Sequence, residues 1–241
     1  MQLESKKYRD KYGLYLIEGD NLIDEAIKRG AELKSIFIRE DYCGRRDLTH
    51  EELYVLKGKL FANVAQTETS QGVVAVVKKT EYSENEFFNL CGEGNLVVFD
   101  RLQDPGNIGT IIRTAEAAGY KGAIFIKGTG DVFSPKAVRA AAGSLFKMPV
   151  LFMETPEGAV KAINNGGKTI AAACRDADVR YYDVDLSKNI ALIIGNEGGG
   201  ICEEFLAAAS LKVMIPMEDG VDSLNAAVAA GILMYERKRK D

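Results

Sequence analysis

The chain has 241 residues, of which 46% are hydrophobic and 27% charged, and its formal net charge is −4 at pH 7. This composition is ordinary for a globular protein and excludes disorder and fibrous repeats. The apolar runs are far shorter than the about 20 residues that cross a bilayer, so no membrane segment is expected. The polar start, MQLESKKYRD, predicts no secretory signal peptide.

Cysteine and histidine usage bears on compartment and on metal binding. The four cysteines are widely spaced and form no C-x-x-C pair, which predicts a cytoplasmic protein rather than a disulfide scaffold. The single histidine, His50, excludes H-E-x-x-H and multi-histidine sites, so we expect no metal. A Ser-His-Asp triad would also need His50, but its polar surroundings favour an exposed loop residue.

The first eighty residues alternate short apolar runs with one helical pattern, which predicts a small α/β module. Leu22, Ile23, Ala26 and Ile27 recur at helical spacing, and Gly30 is a C-terminal stop. The predicted elements are strands at 15–17, 35–38, 54–56 and 72–77 and a helix at 21–29. A polar stretch, 81–95, follows as a linker or a short helix plus turn.

After this stretch, apolar strands alternate with helices, which predicts a parallel sheet covered on both faces. The predicted strands are 96–99, 123–126, 150–152, 169–173, 191–194 and 213–215. The predicted helices are 108–118, 135–142, 157–164, 203–208 and 223–237. Sheets of this kind bind ligands in the loops beyond the carboxyl ends of their strands.

The first such loop is D-R-L-Q-D-P-G-N-I-G (100–109), which leads into a helix whose start offers free N–H groups. Arg113 lies about 140° from Ile108 and so faces away from the apolar stripe of this helix. A purely structural interpretation makes Asn107 the N-cap, pairs Arg113 with Glu116, and ends the helix at Gly119. It explains less well why so polar a loop follows a buried strand.

The second loop, G-N-E-G-G-G (195–200), has four glycines in six residues, which lets a backbone approach a ligand closely. Glu197 occupies the second glycine position of a Rossmann G-x-G-x-x-G pattern, although Glu218 lies where a ribose-binding acid could sit. A Walker A loop would need Lys-Ser/Thr after Gly200, where the chain has Ile-Cys. The carboxylate disfavours phosphate and suits a cationic, amine or hydroxyl ligand. A flexible loop with a solvated glutamate is the alternative.

The third loop, I-P-M-E-D-G-V-D-S-L-N (215–225), precedes an alanine-rich helix. Asp222 or Ser223 is an ordinary N-cap candidate, and the alanines are compatible with simple packing. Asn225 is harder to explain within a first turn, because asparagine is a poor helix-interior residue. The small residues of this helix allow another backbone to approach closely.

Together these segments resemble the SpoU/TrmH family of RNA ribose 2′-O-methyltransferases, of the SPOUT class. The first family motif is matched by D-P-G-N-I-G-T-I-I-R-T-A, the second by I-I-G-N-E-G-G-G, and the third by I-P-M-E-D-G-V-D-S-L-N-A-A-V-A-A. They occur in the family's order across about residues 96–236. The first region resembles the family's substrate-binding domain through L-I-E-G (16–19) and T-S-Q-G-V-V-A (69–75), although the family often has proline at Ser70.

The resemblance implies an α/β fold: a C-terminal parallel sheet with a deep trefoil knot, and a small N-terminal RNA-binding α/β domain. The implied divisions are 1–80, a linker at 81–95, and 96–241. S-adenosylmethionine is expected in the knot, and RNA and a second copy of the chain are the expected partners. The implied cofactor-binding residues are Gly195, Ile215, Leu224, Asn196 and Ala173.

The resemblance also implies how the site works. A ribose 2′-hydroxyl is a weak nucleophile, so its proton must be removed as the methyl group transfers. The family assigns this task to the arginine that is Arg113 here. An arginine is a poor base alone, so it is expected to bind RNA phosphate and help that phosphate or a water take the proton. The other implied site residues are Asn107, Glu197, Ser223 and Asn225.

Several alternatives remain open. Ribosomal RNA, most simply 23S rRNA, is favoured because the separate N-terminal domain resembles that of rRNA-modifying members; tRNA is the alternative. A non-catalytic RNA-binding protein of the same fold, a nicotinamide-binding enzyme and an unrelated α/β protein are further alternatives. Three basic clusters, at 6–11, 45–46 and 237–240, are candidate RNA contacts or solvated segments.

Overall fold

The structure is a computed structural model that describes residues 2–44, 50–67, 69–220 and 223–240. The Arg45-Arg46 cluster and the N-cap candidate Asp222 lie outside these ranges. Within them, no helix has the length and apolar character needed to cross a membrane.

The N-terminal region forms a four-stranded sheet in the order β1-β4-β2-β3. β4 is antiparallel to β1 and β2, whereas β2 and β3 are parallel. The predicted helix and four strands are confirmed. The elements are α1 (Lys6–Tyr12), β1 (Leu14–Glu18), α2 (Asp20–Lys28), β2 (Leu33–Arg39), β3 (Leu53–Leu56), α3 (Gly58–Phe61) and β4 (Val73–Lys78).

The polar stretch after β4 contains one short helix, α4 (Glu84–Cys91). The Ser83 hydroxyl accepts a hydrogen bond from the Glu86 N–H at 3.3 Å, and the Glu86 carboxylate accepts one from the Ser83 N–H at 2.9 Å. This reciprocal capping box satisfies backbone donors at the start of the helix. The divisions at 80/81 and 95/96 stay predictions.

The C-terminal region forms a parallel seven-stranded sheet in the order β7-β6-β5-β10-β8-β11-β9. The strands are β5 (Leu96–Phe99), β6 (Gly122–Ile126), β7 (Val150–Met153), β8 (Thr169–Ala173), β9 (Val179–Arg180), β10 (Ile190–Ile194) and β11 (Leu211–Met214). The helices are α5 (Pro105–Ala118), α6 (Pro135–Ala141), α7 (Pro156–Asn165), α8 (Glu203–Ala208) and α9 (Ala226–Glu236). The predicted parallel sheet is confirmed; β9 was not predicted.

Both faces of this sheet are buried. Alternate side chains of each strand point in opposite directions, so each strand contributes to two separate apolar clusters. In β5, Val97 and Phe99 pack in one apolar cluster, and Leu96 and Val98 pack in another. The first cluster continues into the N-terminal sheet through residues such as Tyr15, so the two sheets share a core. All four β5 side chains are completely buried, as expected for a central parallel strand.

Polar and aromatic contacts also join the two regions. Arg9, which is 3% exposed, pairs with Asp131 at 2.5 Å, and the rings of Tyr15 and Phe133 lie 4.9 Å apart. Arg29 pairs with Glu116 at 2.5 Å. The N-terminal region is therefore held at a defined position beside the loops that follow β5 and β6.

Candidate functional site

The strand order brings the first two predicted loops together. β5 and β10 are neighbours at the centre of the sheet, although their carboxyl ends, Phe99 and Ile194, are 95 positions apart along the chain. Loop one is residues 100–109, loop two is 195–200, and loop three, after β11, is 215–225. Since parallel strands end at one edge, the three loops surround one region.

Loop one is held by Asp104, which is the N-cap of α5. Its carboxylate accepts the Asn107 N–H at 2.8 Å and pairs with Lys136 at 2.7 Å. The hydrogen bond from Lys136, and then that from the Asn107 backbone, keep the pKa of Asp104 below its usual range. The prediction that Asn107 is the N-cap is wrong: α5 begins earlier because Pro105 fits the first helical position and leaves no donor unpaired.

Loop two closes on itself. Asn196 and Gly200 exchange backbone hydrogen bonds of 2.9 Å, and the Asn196 side-chain oxygen accepts the N–H groups of Gly198 and Gly199, each at 2.9 Å. A Cβ on Gly195 would lie 2.5 Å from the backbone nitrogen of Ile201. The absence of a side chain at Gly195 therefore lets the backbone of Gly200 and Ile201 pack against it. Close approach of a ligand, which the sequence predicted, is not the only reason for a glycine at this position.

Glu197 ties loop two to loop one. Its carboxylate accepts the backbone N–H groups of Gln103 at 3.1 Å and Asp104 at 3.2 Å, and the Asn107 side-chain amide at 3.3 Å. Burial raises the pKa of Glu197, but these hydrogen bonds outweigh it and the pKa lies below the usual value. The carboxylate is thus held by protein donors although Glu197 is exposed, so the solvated part of the alternative agrees with the structure and a freely moving side chain does not.

Asn225 ties loop three to loop one. Its side-chain nitrogen donates to the Asn107 side-chain oxygen at 3.1 Å, while its oxygen accepts the N–H groups of Ala227 and Val228 at 2.9 and 3.3 Å. Asn225 is the N-cap of α9, so the prediction of a helix from Ser223 is wrong, as is Ser223 as its N-cap. This removes the difficulty of an asparagine in a helix interior, because Asn is a favoured N-cap.

Loops two and three, together with the end of β8, line a cleft of about 590 Å³, a size within the usual range for small-molecule sites. Eight predicted site residues line it: Ala173, Gly195, Asn196, Glu197, Ile215, Ser223, Leu224 and Asn225. Apolar side chains, Ile194, Val213 and Leu233 among them, form much of the remaining wall. The cleft combines apolar surface with backbone polar groups of loops two and three, which suits a ligand having both a planar ring and hydrogen-bonding edges.

Two predicted residues lie beside the cleft rather than in its wall. Asn107 contacts it only through Glu197 and Asn225. Arg113 is exposed on α5, as predicted, but its pairing with Glu116 is wrong, because Glu116 pairs with Arg29 and Lys147. Within the described ranges, Arg113 makes no hydrogen bond or ion pair.

Sequence reasoning missed the role of Asp100, which is completely buried at the end of β5. Its carboxylate accepts the Cys202 N–H at 2.7 Å, just beyond loop two, and pairs with Arg101 at 2.8 Å. The one available signal was a carboxylate directly after a wholly apolar strand. Asp100 thus positions the start of loop one against the end of loop two.

The single histidine of the chain lies outside this cleft. His50 lies in the N-terminal region, where its ring contacts the Leu33 carbonyl at 3.2 Å and accepts the Glu52 N–H. No group of three or more histidine, cysteine, aspartate or glutamate residues with metal-binding geometry occurs in the part of the chain that the structure describes.

Comparison with known proteins identifies the class of this α/β protein. Residues 94–235 match the SpoU rRNA Methylase family, and residues 1–75 match the MRM3-like substrate binding domain. The chain therefore belongs to the SpoU rRNA methylase family. The family resemblance and the fold class predicted from the sequence are confirmed.

Individual relatives match over almost the whole chain. The 23S rRNA (guanosine(2553)-2′-O)-methyltransferase RlmP of Bacillus subtilis is 36% identical over 97% of this chain and 92% of its own. The mitochondrial rRNA methyltransferase 3 of Homo sapiens is 30% identical over 99% of this chain and 70% of its own. The crystal structure of AviRb from Streptomyces viridochromogenes with AdoMet has a TM-score of 0.87 and 29% identity, covering 99% of this chain and 94% of that one.

Proposed function

We propose that this protein transfers the methyl group of S-adenosylmethionine to a ribose 2′-hydroxyl of ribosomal RNA, most simply 23S rRNA. The observation that carries the proposal is that one cleft, formed by loops two and three, is lined by all five predicted cofactor-binding residues. Loop one is hydrogen-bonded to Glu197 and Asn225 in its wall. The named activities of the relatives and the AdoMet complex of AviRb support it. Transfer of tritiated methyl from S-adenosylmethionine to unmodified 23S rRNA transcript, but not to tRNA transcript, tests it.

The cleft fits the cofactor in size and in chemistry. The backbones of Gly195, Ile215 and Leu224 would hold it, with Asn196 and Ala173 beside them, and the neighbouring apolar side chains suit an adenine ring. When bound, S-adenosylmethionine supplies an electrophilic methyl group on a sulfonium. A trefoil knot in the chain around this site remains part of the proposal, supported by family membership.

The side chains around the loops would position the RNA and help remove the 2′-hydroxyl proton. Asn107, Glu197 and Asn225 form one hydrogen-bonded group that fixes the three loops relative to one another. Ser223 and Asn225 offer polar groups to a ribose at the cleft. Arg113, exposed and unpaired among the described residues, binds an RNA phosphate, so that this phosphate or a water accepts the 2′-hydroxyl proton.

Two cheap measurements separate the alternatives. Titration calorimetry should show binding of S-adenosylmethionine and none of NAD, because the glycine spacing of loop two differs from the dinucleotide pattern. A non-catalytic RNA-binding protein would bind 23S rRNA without methylating it. Cytoplasmic location and activity without added metal accompany the proposal, and full activity in the presence of a chelator is the expected result.

A homodimer is also proposed, supported by an uncovered apolar surface on and beside α9. Leu224, Val228 and Tyr235 are 36%, 52% and 49% exposed, and α9 carries no charged residue before Glu236. A helix that is apolar on all sides is ordinarily buried, so a second copy of the chain is the expected cover.

Replacing Val228 with glutamate should therefore dissociate the dimer, because a charge would be buried without a partner. Sedimentation velocity at micromolar concentration should give twice the monomer mass for the wild type and the monomer mass for Val228→Glu. Val55→Glu, at a 63% exposed position of β3, is the matched control and should remain dimeric. A fully active, monomeric wild type would contradict the dimer.

The N-terminal region is proposed to contact RNA through a polar groove of about 410 Å³ beside α6. Arg139 of α6 is exposed and lines this groove opposite Asn21, Thr69 and Gln71. Lys136, one turn earlier on α6, pairs with Asp104 of loop one. A cation beside amide and hydroxyl groups suits the phosphates and 2′-hydroxyls of RNA, on a surface continuous with loop one.

Arg139→Gln should raise the KM for 23S rRNA about fivefold, as for roughly 1 kcal/mol of lost charge interaction. The slope of log Kd against log salt should fall by about 0.7, which is the effect of one lost phosphate contact with a single strand. Lys161→Gln on α7, another exposed cation, is the control and should change neither value. An unchanged salt slope in Arg139→Gln would remove Arg139 from the RNA contact.

A further inference from the structure

A second cleft, of about 540 Å³, lies between the N-terminal region and the edge strand β7. Its wall runs along the whole of β7 and along the segment that follows β6, and the N-terminal side contributes Lys6, Asp10 and Lys79. It shares no residue with the cleft formed by loops two and three. Nothing in the proposed chemistry explains it.

One wall of this cleft presents an exposed aromatic ring. Phe152 is 58% exposed although it lies in a strand of the central sheet. Its ring is backed by Phe125 at 5.6 Å and Phe133 at 6.3 Å, and Phe125 in turn stacks on the buried Phe99 at 4.4 Å. The neighbouring rings therefore fix the Phe152 ring in place while leaving it open to a ligand.

The charged side chains at the rim of the cleft largely neutralise one another. Lys79 pairs with Asp10 at 2.7 Å and lies 4.7 Å above the centre of the Phe133 ring, and Lys127 pairs with Glu154 at 2.6 Å. The lining holds three lysines and four carboxylates. An anionic group such as a phosphate would therefore have no net electrostatic attraction to this cleft. A neutral planar ring could stack on Phe152, with hydrogen-bond donors and acceptors around it.

The cleft adjoins the proposed active site through loop one. The Gln103 side chain donates to the Gly128 carbonyl at 2.7 Å, and the Gly130 N–H donates to the Leu102 carbonyl at 2.9 Å. The same loop continues to Asp104, whose N–H donates to Glu197. Loop one therefore contacts residues that line each cleft, Gly128 and Gly130 in the second and Glu197 in the first.

We propose that this second cleft binds an unpaired nucleobase of the substrate RNA, close in the strand to the methylated nucleotide, with the base stacked on Phe152. The inference rests on the proposed function and adds a specificity site to it. RNA-binding proteins read single-stranded nucleotides by stacking their bases on aromatic side chains and hydrogen-bonding their edges. Such stacking accepts any base in principle, and the paired groups of the rim supply selection among them.

The first test separates stacking from simple hydrophobic contact. Phe152→Leu should weaken binding of unmodified 23S rRNA transcript about tenfold or more, with S-adenosylmethionine affinity unchanged. Phe152→Tyr should retain nearly wild-type RNA affinity, since the aromatic face is kept. Leu90→Ala, at a 61% exposed position outside the cleft, is the matched control and should bind RNA as the wild type does.

The second test uses the absence of tryptophan from the sequence. Phe152→Trp places a single indole in the cleft, and its fluorescence should be quenched by the 23S rRNA transcript but not by S-adenosylmethionine. Leu90→Trp should show no change with either. Wild-type affinity in Phe152→Leu, or no quenching in Phe152→Trp while that variant still methylates RNA, would overturn the inference and leave the proposed function standing. A wild type that neither binds nor methylates the transcript would overturn both.

Discussion

Arg113→Ala is expected to lower methyl transfer to 23S rRNA by about 100-fold or more, the scale of a lost contribution to proton transfer. Arg113 is exposed and does not line the cofactor cleft. The free energy of unfolding should thus change by no more than about 0.5 kcal/mol, as for other surface substitutions, and S-adenosylmethionine affinity should be nearly unchanged. A melting curve, a calorimetric titration and a tritiated-methyl assay on the same variant give the three values.

Two further variants test whether the effect depends on the guanidinium group and on this position. Arg113→Lys keeps the positive charge but loses the planar fork that binds phosphate in two places, so we expect only partial recovery of transfer. Lys161→Ala, which removes an exposed charge on the other side of the sheet, should transfer normally. Normal transfer in Arg113→Ala would make this arginine an ordinary surface residue. A variant that fails to fold would show a structural role instead.

Gly195→Ala is expected to weaken S-adenosylmethionine binding by about tenfold or more. The new Cβ would lie 2.5 Å from the Ile201 backbone nitrogen, so loop two must open and its contacts with loop one must shift. Forcing an extra carbon into a closely packed site typically costs about 1–3 kcal/mol, and the melting temperature should fall with it. Calorimetry and a melting curve measure the two effects.

Gly199→Ala is the control within the same loop. Its Cβ would lie 3.7 Å from the Asn196 side-chain oxygen, which is an ordinary contact, and Gly199 does not line the cleft. This variant should bind S-adenosylmethionine as the wild type does. If Gly195→Ala binds the cofactor normally, loop two is not what shapes the cofactor site.

Hydrophobic periodicity predicted most of the secondary structure because it records burial directly. β5, for example, is an uninterrupted apolar run, as a parallel strand covered on both faces must be. β9, a two-residue edge strand with both side chains exposed, leaves no such pattern and was missed. The three loops could also be found, since polar and glycine-rich segments directly follow apolar strands.

The contacts between these loops could not be predicted, because they join residues far apart in sequence. Glu197 bonds to donors more than 90 residues earlier, and Asn225 bonds to Asn107 at a separation of 118 residues. The caps were misassigned for a local reason. Several neighbouring polar residues can each cap a helix, and the choice of Asp104 and Asn225 depends on Lys136 and Asn107, which the fold brings to them.

The most direct test of the central claim is the identity of the methylated atom. Unmodified 23S rRNA transcript is incubated with the protein and deuterated-methyl S-adenosylmethionine. One portion of the RNA is digested to nucleosides for mass spectrometry, and another is hydrolysed in alkali to locate the resistant linkage. The account predicts one deuterated methyl group on the ribose of a single nucleotide, whose 3′ linkage resists alkaline cleavage. A methyl group on a base, or no transfer to 23S rRNA alongside efficient ribose methylation of tRNA, would contradict it.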